Sequence, residues 1–181
     1  MVATREEIVQ VRAMLLRIAG ELRAEGREIA EHVPVGAMIE VPAAAIALSS
    51  FIDAVDFVSL GTNDLTQYLL AADRGNDALG ELYSPLHPAM LHLLRNVIRT
   101  AKSRGKPVAV CGEMAGDPRF TPLLLALGLE EFSLHPGTLL EVRQSIRAQD
   151  LSALRARVPA LLRARDRAGI ERWLQAATAA A

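Results

Sequence analysis

Short apolar runs alternate with stretches at helical spacing, so the chain reads as one unit repeated along its length. Val35 to Ile39, Phe57 to Leu60 and Pro107 to Val110 are brief and rich in β-formers, and Glu131 to Leu134 makes a fourth such run. Runs of this length read as buried strands. Each is followed by a helical stretch: an alanine-rich one from Pro42, one beginning near Leu65, and one from Phe120 to Leu127 with Gly128 behind it. A further helix is expected from Pro88 to about Arg104, stopped by Gly105, with Met90, Leu91, Leu94, Val97 and Ile98 on one face. Strand and helix in strict alternation predict a parallel α/β arrangement. Eight units close a barrel. Four units predict half of one, preceded by an amphipathic helix from Thr4 to Gly26 whose apolar positions are Ile8, Val11, Met14, Leu15, Ile18 and Leu22. Beyond Pro136 three helices are expected up to Ala181, broken near Asp150 and Asp166, with the last five residues frayed.

Composition narrows the function classes. The 181 residues are 51% hydrophobic, enough for one domain with a core, and carry a net charge of −1. Balanced charge gives no field for nucleic acid or a membrane surface, so binding must be local. One cysteine excludes an internal disulfide, and no apolar run has the length of a membrane span. Cytoplasmic location is the expectation.

The polar residues at the strand ends are the candidates for chemistry. Thr62, Asn63 and Asp64 follow the second strand, where parallel α/β folds keep their sites, and all three are also good helix caps. Arg74, in the Asp73-Arg74-Gly75-Asn76 loop, suits a phosphate or carboxylate, or else pairs with Asp73. Glu40 ends the first strand. Glu40 and Asp64 on neighbouring strand ends would seat Mg²⁺, while Glu40 alone could simply face a helix dipole. Cys111 ends the third strand, either as a small buried hydrophobe or as a reactive thiol on the same rim. His32, His87, His92 and His135 have no metal-ligand spacing and are expected to be structural or on the surface. The arginines from Arg143 to Arg172 are interspersed with acids and read as a solvated face.

Gly61-Thr62-Asn63-Asp64-Leu65-Thr66-Gln67-Tyr68 with Asp73-Arg74-Gly75-Asn76 resembles the phosphoenolpyruvate-binding domain of enzyme I of the bacterial sugar phosphotransferase system. The likeness extends from Glu6 through Gly36 to Ala43 and Tyr83-Ser84-Pro85 to Cys111 to Asp117 and Glu131-Phe132-Ser133. It implies the second half of a (β/α)₈ TIM barrel with extra C-terminal helices, the first half and the phosphohistidine domain lying outside residues 1–181. It further implies Mg²⁺ on Glu40 and Asp64, phosphate contacts from Asn63 and Arg74, and Cys111 as the acid that protonates the enolpyruvate carbon. The reaction implied transfers the phosphoryl group of phosphoenolpyruvate to a histidine on another domain and on to HPr, releasing pyruvate, in a homodimer. A related dikinase or phosphoenolpyruvate synthase, and a non-catalytic dimerisation or regulatory half-barrel, are the alternatives. Leu134-His135-Pro136 departs from the family pattern. Half a barrel leaves two strand edges and an interior open, and Met38, Val58 and Val110 are expected to face that gap. The chain alone is therefore expected to self-associate and to lack the whole reaction.

Overall fold

The computed structural model describes residues 1–80 and 82–178. The first helix, α1 (Arg5–Ala24), is closed at its start by a capping box: Thr4 accepts from the Glu7 amide, and the Glu7 carboxylate accepts from the Thr4 amide. The strand–helix units follow as β1 (Ala37–Ile39) and α2 (Pro42–Ile46), β2 (Val58–Gly61) and α3 (Thr62–Leu70), then α4 (Pro88–Ser103). Next come β3 (Val108–Cys111), α5 (Glu113–Gly116), α6 (Thr121–Ala126) and β4 (Glu131–Phe132). The chain closes with α7 (Leu139–Arg147), α8 (Leu151–Leu162) and α9 (Arg167–Thr178), broken at the two places the sequence indicates. The end expected to fray lies from residue 179 onward outside the described residues, whereas Ala177 is buried.

Among the described residues the sheet runs in the order β1-β2-β3-β4, all parallel. This is the half-barrel expected, and β1 and β4 are its edges. Register sorts the strand residues into two faces. Ile39, Leu60, Val110 and Phe132 stand in one row, and Ala37, Val58 and Val108 in the parallel row on the same face. Side chains two apart share a face. Ile39, Leu60 and Val110 are fully buried and belong to a single cluster with Leu48, Met90, Leu94, Ile98 and Leu123 from the helical layer.

The opposite face carries Met38, Ser59, Ala109 and Glu131 in register. Met38 is 40% exposed and Glu131 is exposed, while Ser59 and Ala109 are half-buried. Val58 and Val110 therefore do not face the barrel interior, contrary to the expectation for them. Alternation puts them on the helix side with Leu60, and only Met38 of the three looks into the open half.

Strand ends differ from the sequence reading by one to two residues. Val35 and Gly36 precede β1, yet Val35 still accepts from the Asp56 amide and Ala37 donates to the Phe57 carbonyl. The helix after β2 starts at Thr62 rather than near Leu65. On α1 the structure buries Ile8 alone. Val11, Met14, Leu15 and Ile18, one apolar face by spacing, are exposed. Arg12 ties α1 to the sheet by donating to Asp56 at 3.1 Å and to the Ala54 carbonyl.

Candidate active site

The site is built where β1, β2 and β3 end. Glu40 lies one residue beyond β1, Gly61 closes β2, and Cys111 pairs with Gly61 across the sheet. Alternation puts Glu40 and Cys111 on the open face with Met38. Gly61 makes room for this. A Cβ there would lie 3.0 Å from Glu40 Cβ, 3.1 Å from Met38 Sδ and 3.2 Å from Glu40 Oε2. The Glu40 side chain thus leans across the end of β2, over Gly61. Among the described residues no basic side chain lies within salt-bridge distance of Glu40.

Thr62, Asn63 and Asp64 form the first turn of α3, and none of them caps it: Gly61 is the N-cap residue and offers no side chain. Their polar groups are used elsewhere. The buried Thr62 hydroxyl donates to the Cys111 carbonyl at 2.9 Å, and Asn63 Oδ1 accepts from the Glu113 amide at 3.1 Å. Asp64, in the favourable field of the helix start, lies 3.6 Å from Arg74 Nη2 through its Oδ1. Arg74 is delivered to it by a folded-back loop. The Arg74 amide donates to Gln67 Oε1 at 3.1 Å, and the Asp73 carboxylate turns inward to accept from Gly75. Arg74 therefore faces Asp64 rather than Asp73.

Cys111 is half-buried. Its thiol donates to the Leu60 carbonyl at 3.3 Å and sits 3.6 Å from Met38 Sδ. Gly112 follows with φ +91, a backbone geometry that favours glycine. A Cβ at that position would also lie 2.8 Å from Asn63 Oδ1 and 2.9 Å from Thr62 Oγ1.

Two side chains outside the sequence-based candidates belong here. The Tyr83 hydroxyl donates to the Asn63 carbonyl at 3.0 Å. Burial pushes its phenol above the ordinary value, with the Glu113 and Asp64 carboxylates adding to the shift and Arg74 opposing it. Glu113 opens α5 beside Cys111. Tyr83 was visible only as part of a Tyr-Ser-Pro loop, and Glu113 only as the neighbour of Cys-Gly.

A cavity of about 940 Å³ opens between these elements, lined by Asn63, Tyr83, Cys111, Glu113, Ser133 and His135 among others. The residues after β4 thus do wall the cavity that Cys111 enters. Glu40, Asp64 and Arg74 are not among its walls. Arg119, also in the wall, is held by Asp117, whose carboxyl that guanidinium keeps below the ordinary carboxylate range. His135 spends Nδ1 on the Gly137 amide and His87 spends its own on Ala89, so both serve local turns as expected.

Similarity to known proteins agrees with this layout. Residues 1–151 match the family described as PEP-utilising enzyme, PEP-binding domain. The phosphoenolpyruvate-protein phosphotransferase of Cupriavidus necator is 48% identical over 166 residues, covering 92% of this chain and 28% of that protein. The proteins of the same name from Priestia megaterium and Haemophilus influenzae are 47% and 44% identical, each covering 81% of this chain and 26% of the relative. The chain thus spans little more than a quarter of the length of these curated relatives. A crystal structure of a citrate lyase from Burkholderia xenovorans superposes on 99% of this chain and 61% of its own, with a TM-score of 0.52 at 15% identity, a likeness of fold alone. With the family match covering most of its residues, the chain belongs to the PEP-binding domains of PEP-utilising enzymes.

Proposed function

We propose that this chain is the phosphoenolpyruvate-binding part of a PEP-protein phosphotransferase, passing the phosphoryl group of phosphoenolpyruvate to a histidine on another domain and then to HPr, with release of pyruvate. One observation carries the reading: Cys111 ends β3, Glu40 and Asp64 follow the carboxyl ends of β1 and β2, and Arg74 is folded back onto Asp64, all at the end of the parallel strands at which barrel enzymes keep their chemistry. The relatives' printed names supply the reaction class.

Glu40 and Asp64 are assigned as the protein's ligands to Mg²⁺. The donor set fits. Mg²⁺ is held by one or two carboxylates plus substrate oxygens and water, and Glu40 lies over Gly61, the residue that leads into the helix bearing Asp64. When bound, the ion neutralises the charge of the phosphoryl and enolate oxygens. Arg74 takes the phosphoryl oxygens as a planar donor, turning from Asp64 to do so. The Asn63 amide nitrogen is the group left for the phosphate, its oxygen being engaged by Glu113. Cys111 delivers its thiol proton to the enolate carbon once the phosphoryl group has left. Positioning and charge compensation supply most of the rate. Cytoplasmic location and a homodimer belong to the same proposal, and no described helix is long and apolar enough to cross a membrane.

The experiment is a chimera in which this chain replaces the matching segment of the Cupriavidus necator protein. Mg²⁺-dependent exchange of label between phosphoenolpyruvate and pyruvate is expected, and its loss in Glu40→Gln and Asp64→Asn. A folded chimera without exchange would overturn the reading.

A further inference from the structure

The geometry points to Thr62 as a positioning residue that, together with Asn63, clamps the turn carrying Cys111. Two adjacent side chains on the first turn of α3 grip the backbone on either side of Gly112. Thr62 Oγ1 donates to the carbonyl just before it, and Asn63 Oδ1 accepts from the amide just after it. Between the two bonds the backbone takes φ +91, and both gripping atoms lie within 3 Å of where a Cβ on Gly112 would stand. The turn is thus seated on α3 with no room for a side chain at the junction.

The donor end of the contact is buried: Thr62 is 1% exposed, although the Cys111 end borders the cavity. The hydroxyl acts on the peptide group that fixes the direction of the Cys111 side chain, and so on whether the thiol faces the cavity. Thr66, one turn on, cannot substitute, because its hydroxyl is bonded to the Thr62 carbonyl at 2.7 Å. The Asn63 carbonyl is in turn held by Tyr83. The helix end that carries the proposed phosphate and metal contacts is therefore the same rigid piece that aims the proposed proton donor. A shift of α3 on substrate binding would be felt at Cys111 through two hydrogen bonds.

This inference deepens the phosphotransferase reading and rests on it for its role in turnover. The test uses the whole chain and reads the clamp itself. In Thr62→Val the Glu113 amide is expected to exchange with solvent faster, and Cys111 to react faster with iodoacetamide. Each change should be on the order of fivefold, as for loss of one ordinary hydrogen bond, with α4 amides unchanged. Thr62→Ser keeps the hydroxyl and should behave as the parent protein, while Thr62→Ala should follow valine, so the serine–alanine pair decides the matter if the valine variant folds poorly. Parental exchange and alkylation in the variants lacking the hydroxyl, or serine behaving as alanine, would overturn the clamp. In the chimera, Thr62→Val should lower pyruvate formation while KM for phosphoenolpyruvate holds. A clamp that passes the exchange test in a folded chimera that shows no Mg²⁺-dependent exchange of label between phosphoenolpyruvate and pyruvate refutes the phosphotransferase reading and not the clamp.

Discussion

Arg74 Nη2 and Asp64 Oδ1 face one another at 3.6 Å across the start of α3, so the residue proposed for the phosphoryl group is engaged with a residue proposed for the metal. The pair is partly solvated, with side chains 49% and 27% exposed, which limits its strength to that of a surface ion pair. Arg74→Ala should therefore raise affinity for Mg²⁺ alone by no more than about fivefold, because it removes a nearby cation. Affinity for phosphoenolpyruvate should fall in the same variant. Calorimetric titration of the chimera with each ligand separately checks both signs, and a fall in Mg²⁺ affinity would contradict the arrangement.

Cys111→Ser keeps the size of the side chain and removes the acidic thiol. In the chimera it should depress pyruvate formation by at least about a hundredfold, the range typical of a general acid, with little change in phosphoenolpyruvate binding. Single-turnover release of pyruvate is the measurement, and unchanged turnover would take Cys111 out of the reaction.

Tyr83 anchors the loop before α4 to the first turn of α3. Tyr83→Phe deletes its bond to the Asn63 carbonyl and should cost about 1 kcal/mol in urea unfolding. The phenol is held above its ordinary value, so its contribution to stability is present below about pH 10 and is lost as pH rises through the higher folded value. Absorbance titration should show one of the two tyrosines ionising late, and that late component should vanish in Tyr83→Phe.

The acid limb should be governed in part by Asp56. The Val35 amide, 2.7 Å from its carboxylate, and then Arg12 hold its carboxyl below the ordinary value. A lowered carboxyl stabilises the fold above about pH 4 and loses that contribution as pH falls through the folded value. Asp56→Asn should flatten the loss of Tm between pH 5 and pH 3, both rough bounds for a carboxylate, while leaving the alkaline limb unchanged.

Self-association is expected from the uncovered face of α1 and from the open sheet. Val11, Met14, Leu15 and Ile18 present apolar surface of a kind that single domains rarely leave bare. Sedimentation at micromolar concentration should show species larger than the monomer, reduced by Met14→Glu, and a strictly monomeric chain would contradict this.

The order of elements was legible because each strand and helix carries its own period, and the helical breaks at Asp150 and Asp166 follow from local polarity. Which face a strand residue takes was not. Val58 and Val110 are as apolar as an interior-facing residue could be, yet register sends them to the helices and leaves Ser59 and Ala109 on the open side. Motif chemistry located Asn63 and Cys111, but their partners lie 50 and 51 residues away in sequence, at the Glu113 amide and the Leu60 carbonyl, where no local pattern reports them. The Arg74–Asp64 pair depends on Gln67 bending the loop back, a single hydrogen bond that composition does not encode.

The row Met38, Ser59, Ala109 and Glu131 touches the fold from one side only, its backs turned on the cluster formed by Ile39, Leu60 and Val110. Stability and interior chemistry are therefore written on alternate letters of the same strands. Randomising the four interior positions would explore what the half-barrel accepts while the adjacent letters keep it folded, which makes this sheet a ready cassette for altering specificity without rebuilding a core.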